Sequence, residues 1–278
     1  MIELEWKGSP DAIPIEAECI RPELMANLSA DEIRRQEVWH GRERLTLGDF
    51  FEVKGGYSEE VYVVGDVSKV KWIGAGMTGG SIILDGNAGM HLGARMRGGI
   101  ITVRGDCGDW LGAEMQGGLI HIHGNAGHMV GSTYPGSRFG CNRGTIIVHG
   151  NTGHMTGARM RRGLIAVGGK AGDFAGAEMI AGTVVLFGGS GLYPGAGLKR
   201  GSVVLLGPWE GDLLDTFEYD CRLRSPYFGL LFKYLASFGM PVTDEFARGE
   251  YRRYSGDTTY FGKGELLIPV SKTPDGEG

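Results

Sequence analysis

Glycine returns every 19 residues through the middle of this chain, and that period constrains the fold more than any other feature. Gly80, Gly99, Gly118, Gly144, Gly163, Gly182 and Gly201 are spaced 19, 19, 26, 19, 19 and 19 apart, so one seven-residue insertion, residues 133–139, interrupts a constant repeat. A second row lies six residues on, from Gly86 and Gly105 to Gly188 and Gly207. Between the two rows, alternate positions carry branched aliphatics in every repeat: Ile82, Ile101, Ile120, Ile146, Ile165, Val184 and Val203, then Leu84, Val103, Ile122, Val148, Val167, Leu186 and Leu205. The positions beside them are mixed, as in the row Asp85, Arg104, His123, His149, Gly168, Phe187 and Leu206. A period of two with one aliphatic face is the pattern of a strand, not a helix.

A third row, Gly74, Gly93, Gly112, Gly131, Gly157, Gly176 and Gly195, precedes a small residue, and Met77, Met96, Met115, Met160, Met179 and Leu198 follow at a fixed distance. The 51 glycines among 278 residues far exceed the usual ~7%, yet they follow no triplet period, which excludes collagen. Nineteen residues with one short strand and three glycine corners have no room for a hairpin plus a helix, but they suit one coil of a solenoid. The corner glycines provide positive φ or close backbone approach at the same place in each coil. The aliphatic rows then become ladders inside the column, with methionine filling one corner.

The sequence therefore predicts an all-β fold, a right-handed parallel β-helix of about seven to eight coils over residues 57–207. The eighth coil is irregular: Val61, Val63, Gly65 and Gly74 carry part of the pattern with a turn two residues longer. Because solenoid ends expose strand edges and an open core, the flanks are expected to cap them. Residues 1–56 form the N-terminal cap, with a strand over 2–6 and a capping box, Ser29 to Glu32, opening a short helix through Arg35. Residues 208–278 form an aromatic extension in which 227–238 reads as an apolar helix and 271–278 as a frayed end.

A net charge of −5 offers no basic field for a phosphate backbone, so nucleic acid is not an expected partner. The apolar runs are too short to span a bilayer. Residues 1–7 lack a basic segment leading into an apolar one, and a cytoplasmic location is the expectation. Cys19, Cys107, Cys141 and Cys221 lie far apart without a CxxC pair, which disfavours zinc ribbons, iron–sulfur clusters and disulfide frameworks.

No catalytic, cofactor-binding or metal-ligating residue is assigned. The row beginning with Asp85 resembles the charged groove of a polysaccharide-cleaving β-helix, but that chemistry needs convergent carboxylates, and here Arg104 and histidines follow. A solvated face or a contact between subunits fits it better. Met90, Asp109, His128, His154 and Asp173 form a turn row in which the two histidines stack; this suits an imidazole-bound metal or, as we read it, a ladder satisfying backbone groups. Asn87, Asp106, Asn125 and Asn151 form a similar row, and Arg95 with Glu114 and Arg159 with Glu178 pair opposite charges between coils. Insertions in solenoids map to binding surfaces, so Tyr134, Arg138, Phe139, Asn142 and Arg143 are the candidate contacts for a partner or, second, an anionic ligand.

The tandem unit running from Gly93, Ala94, Arg95 and Met96 to Gly105, and from Gly157, Ala158, Arg159 and Met160 to Gly169, resembles the GXGXG β-helix of glutamate synthase large subunits and of the C subunit of formylmethanofuran dehydrogenase. The stretch from Arg253 to Asp257, followed by Gly262 to Leu267, is similar to the end of that C subunit. The resemblance implies a non-catalytic structural subunit that holds hydrolase, molybdopterin-enzyme-like and formyltransferase subunits, with the aromatic tail buried against them. The complex would use a methanofuran-type carrier and tetrahydromethanopterin, neither bound by this chain, and convert formyl-tetrahydromethanopterin through formylmethanofuran to formate. Arginine makes up 19 of the 28 basic residues, which suggests a GC-rich genome and favours the bacterial formyltransferase/hydrolase complex over the archaeal tungsten or molybdenum dehydrogenase. A glutamate synthase-like module and a stand-alone carbohydrate enzyme are the remaining alternatives.

Overall fold

Each aliphatic row of the repeat forms one rung series in a parallel ladder. In the computed structural model, which describes residues 1–8 and 13–272, the strands are β1 (Ile2–Trp6), β2 (Ile15–Glu16), β3 (Glu37–His40), β4 (Glu43–Thr46), β5 (Phe51–Gly55), β6 (Glu60–Val64), β7 (Val70–Lys71), β8 (Ser81–Asp85) and β9 (Ile100–Val103). They continue as β10 (Gln116–Ile122), β11 (Arg143–Val148), β12 (Leu164–Val167), β13 (Thr183–Leu186), β14 (Arg200–Leu205), β15 (Glu218–Leu223), β16 (Tyr251–Gly256) and β17 (Lys263–Pro269). The helices are short: α1 (Pro22–Met25), α2 (Ala30–Arg34), α3 (Leu47–Phe50), α4 (Pro226–Ala236) and α5 (Asp244–Arg248).

The protein is mostly β, built on a mixed 13-stranded sheet in the order β15-β16-β17-β14-β13-β12-β11-β10-β9-β8-β6-β1-β5. From β1 to β17 the neighbours are parallel, and a single row of side chains runs through Ile2, Val61, Ile82, Ile101, Ile120, Ile146, Ile165, Val184, Val203 and Leu266. Every member is buried. The step from Val61 to Ile82 is two residues longer than the regular 19-residue step, as the irregular first repeat predicts. A second parallel ladder of single bridges links Val67, Ala88, Cys107, Ala126, Thr152, Ala171, Ser190 and Trp209. The methionine row, Met77 to Met179, lies fully buried in the same core.

The turn that closes each repeat explains its glycine. Gly112 has φ +58°, and a Cβ there would sit 2.6 Å from Ile146 Cδ1, so both the backbone conformation and the packing exclude a side chain. Two residues earlier the chain is again left-handed, but at Trp72, His91, Trp110, Met129, Met155, Phe174 and Tyr193. Bulky residues there are uncommon, and such strain, of order 1–3 kcal/mol each, persists only where the surroundings enforce it. Here the next repeat enforces it: the N–H groups of His91 and Trp110 donate to the carbonyls of Asp109 and His128.

Flanking segments join the sheet. β1 pairs in parallel with β6 and antiparallel with β5, while β2, β3, β4 and β7 make a separate four-stranded sheet. The capping box forms as predicted, Ser29 N–H donating to Glu32 Oε2 at 2.8 Å at the start of α2. At the other end β17 continues the parallel ladder, with β16 and β15 antiparallel beyond it.

Two expectations need correction. A single buried face was expected for every strand, yet β11 to β14 are buried on both: Ile147, Ala166, Val185 and Val204 point away from the column into a second core with Phe228, Leu231, Phe232 and Leu235 of α4. The aromatic tail was expected to be buried against partners; its apolar face instead covers the chain's own sheet, leaving Leu230, Tyr227 and Phe261 exposed. The physical reason is the same in both cases, since an uncovered row of valine and isoleucine is satisfied by the nearest amphipathic helix. The frayed end expected over 271–278 falls, for 273–278, outside the described residues. Among the described residues, no helix is long and apolar enough to cross a membrane.

Candidate functional site

The insertion 133–139 leaves the column after Ser132 and returns at Gly140, whose N–H donates to the Arg159 carbonyl. Its residues part in two directions. Tyr134 folds back over the left-handed aromatic row: its Oη lies 2.8 Å from His91 Nδ1, and its ring stacks on Trp110 at 4.8 Å, while Trp72 stacks on His91 at 4.1 Å. The Arg95 guanidinium covers the Tyr134 ring at 5.3 Å, and Arg95 Nε is held 2.9 Å from Glu114 Oε2. Burial raises the Tyr134 phenol and lowers His91 to about 4, helped by the Lys71 charge, so the imidazole is neutral near pH 7. At Glu114 burial favours the acid form, but hydrogen bonds from Ser137, Arg95 and the Tyr134 N–H outweigh it and hold the carboxyl low.

Phe139 turns the other way, under two guanidiniums, Arg161 at 4.6 Å and Arg138 at 5.5 Å. It borders an open groove of about 320 Å³, shared with Arg159, Glu178, Ile180 and Lys199, and a second of about 360 Å³ adjoins it through Ile180 and Lys199 and adds Arg161, Arg162, Arg200 and Phe261. Six basic side chains thus face a strip whose one acid, Glu178, is paired with Arg159 at 3.2 Å. On a chain of net charge −5 this concentrates positive potential at one place. Asn142 and Arg143 lie at the return of the insertion; Asn142 Oδ1 is buried without a hydrogen-bond partner, and exposed Arg143 begins β11.

Of the five predicted contact residues, then, Tyr134 serves inside the chain, and Arg138 and Phe139 border the basic strip. Sequence reasoning did not pick out Arg161, Arg162, Lys199 and Arg200. A signal existed: these occupy the two positions before Gly163 and before Gly201, the same positions that Asn142 and Arg143 hold before Gly144.

The turn rows behave as hydrogen-bond ladders. Asn87, Asp106, Asn125 and Asn151 each accept the N–H of the residue stacked above, at 2.6 to 2.9 Å. In the neighbouring row Asp109 accepts from His128 N–H, His128 Nδ1 from His154 N–H, and His154 Nδ1 from Asp173 N–H. The Asp85 carboxylate is occupied as well, by Tyr62 Oη at 2.8 Å and Arg104 at 3.0 Å, which removes it as a base for carbohydrate cleavage.

A different set of histidines converges on the outer face of β10 and β11. His121, His123 and His149 bring their ring nitrogens within 4.8 Å of one another. Burial, with the neighbouring imidazoles, lowers His121 to about 4 and lowers His149. Among the described residues the four cysteines are unpaired and separate, and burial pushes the Cys19 and Cys141 thiols up to about 12.

No family model matches the chain. Over 82 residues, 29% of its length, it is 45% identical to the C subunit of the molybdenum-containing formylmethanofuran dehydrogenase 1 of Methanothermobacter marburgensis. Over 96 residues, 33% of its length, it is 41% identical to the C subunit of the tungsten-containing formylmethanofuran dehydrogenase 2 of Methanothermobacter thermautotrophicus. These matches span 20% and 35% of the relatives' own lengths. A chain in the crystal structure of the formyltransferase/hydrolase complex (FhcABCD) from Methylorubrum extorquens, in complex with methylofuran, is similar throughout: 34% identity and a TM-score of 0.87, covering 96% of this chain and 99% of that one. With a match of that extent, and with relatives that are C subunits of the dehydrogenase, the chain belongs to the family formed by the C subunits of formylmethanofuran dehydrogenase and of the formyltransferase/hydrolase complex.

Proposed function

We propose that this protein is the non-catalytic C subunit of a formyltransferase/hydrolase complex, a scaffold for the subunits that carry a formyl group from formyl-tetrahydromethanopterin to a methanofuran-type carrier and release it as formate. The observation that carries this reading is the likeness over nearly the whole of both chains to a component of such a complex. In our reading residues 57–207 form a right-handed parallel β-helix of seven to eight coils, with 1–56 capping one end and 208–278 extending the other, and the protein works in the cytoplasm.

The physical argument is stiffness. A continuous parallel ladder of ten buried aliphatics, with a second ladder of backbone bridges beside it, leaves little freedom to bend. A column of that kind holds hydrolase, molybdopterin-enzyme-like and formyltransferase subunits at fixed separation, so a carrier tethered in one active site reaches the next at high effective concentration. The basic strip beside the insertion, with Arg138 and Phe139 at its edge and Asn142 and Arg143 alongside, is the surface we assign to partner contact, because opposite charge steers association and an aromatic under guanidiniums anchors it.

The relatives from methanogens favour a second reading, in which the same scaffold serves a molybdenum or tungsten formylmethanofuran dehydrogenase. Co-expression separates the two. The first expects purified complexes that yield formate from formyl-tetrahydromethanopterin without a redox metal, and that fall apart when this chain is omitted. Formyl transfer by the isolated chain, or a fully active assembly lacking it, would overturn the scaffold role.

A further inference from the structure

We propose that His121, His123 and His149 form a three-histidine site for a divalent cation of the zinc class on the outer face of the sheet, at the junction between β10, β11 and the end of α4. Strand geometry brings the three together. His121 and His123 are two apart and therefore share a face, and the register pairing Ile122 with Val148 sets His149 beside His123. The ring centroids are 4.4 to 5.3 Å apart, and the Nε2 atoms of His121 and His149 are 2.8 Å apart.

One hydrogen bond between imidazoles uses a single donor and a single acceptor, so it leaves the third ring of this cluster without a share. A cation of borderline softness uses the lone pairs of all three. Tetrahedral zinc with nitrogen at about 2.0–2.1 Å requires ligand atoms about 3.3 Å apart, so the close pair opens by about half an ångström and His123 swings inward. His123 is exposed and free to do so, which also provides the entry path.

The surroundings suit a cation. His149 Nε2, 2.8 Å from His121 Nε2, is the nitrogen of that ring that faces the cluster. Phe238 packs edge-on against His121 at 5.7 Å. It follows the C-cap of α4, the longest helix among the described residues, and the carbonyl end of a helix carries partial negative charge. The donor set of three neutral nitrogens matches zinc, copper or nickel better than magnesium or calcium. Three protein ligands leave a fourth position for water or an incoming carboxylate. The second histidine pair has no such capacity, because the Nδ1 atoms of His128 and His154 are occupied by backbone N–H groups.

The test uses the full chain stripped with a chelator, titrated with Zn2+ by calorimetry and with Co2+ by visible absorption. One equivalent should bind, with the intense bands of tetrahedral cobalt. H123A should weaken binding about tenfold or more and abolish those bands, since a ligand is lost and not merely its support. H154A should change neither. Unfolding in chelator should be the same for H123A and the parent, because His123 is exposed and contributes little to the core. Sub-stoichiometric binding by the parent, unchanged affinity in H123A, or an equal loss in H154A would each overturn the site.

Discussion

Tyr134 Oη and His91 Nδ1 stand 2.8 Å apart, tying the one insertion in the repeat to the aromatic row of the column. The loop is therefore held at its first turn by the repeats it interrupts.

Removing the hydroxyl with Y134F should cost about 0.5–1.5 kcal/mol, the usual net worth of one hydrogen bond. Y134A loses the stack on Trp110 and the contact with Arg95 as well, and should cost about 2–3 kcal/mol. Urea denaturation of the two variants checks the order.

Acid should weaken the same corner. His91 titrates at about 4 in the folded chain against an ordinary value near 6.5, so between these values the unfolded chain binds more protons. Its contribution to stability is complete above pH 6.5 and is lost as the pH falls toward 4. In H91F the decline of Tm over that window should be shallower than in the parent, and an unchanged slope would argue against the assignment.

Two glycine variants separate packing from backbone strain. G112A meets Ile146 Cδ1 at 2.6 Å at φ +58° and should destabilise by about 2–4 kcal/mol. G136A, at φ +86° with nothing within 4 Å of the added carbon, carries the backbone cost alone, about 1 kcal/mol. Thermal melts of the pair read the difference directly.

On α4, Phe232 is fully buried against the sheet and Leu230 is 71% exposed. F232A should cost about 3–5 kcal/mol by opening the second core, whereas L230A should leave the isolated chain within about 0.5 kcal/mol of the parent. Chemical denaturation with two probes, near-UV and far-UV, shows whether the second core melts with the first.

Charge reversal tests the basic strip. The double variant R161E/R162E removes two guanidiniums facing one groove and should slow association with the partner subunits, with a weaker dependence on salt than the parent shows. Stopped-flow or surface-binding rates at two ionic strengths measure this, and rates equal to the parent's would reassign the surface.

The sequence alone determined the parallel ladder, because a 19-residue period of glycine and aliphatic rows is a local statement repeated seven times. Each copy demands the same neighbour, and the register from Val61 to Val203 follows from the spacing itself. The hydrogen-bond ladders of Asn87 and Asp109 were legible for the same reason, as was the capping box at Ser29. Tertiary structure decided everything that links rows of different kinds. The docking of α4 on Ile147, Ala166, Val185 and Val204 joins segments with no shared period. So do the meeting of Tyr134 with His91 and Trp110 and the packing of Phe238 on His121. Left-handed corners at Trp110 and Phe174 left no glycine to mark them, because the strain is carried by backbone hydrogen bonds donated to the next repeat. Contacts of that sort depend on where separate segments come to rest, and no period along the chain encodes that.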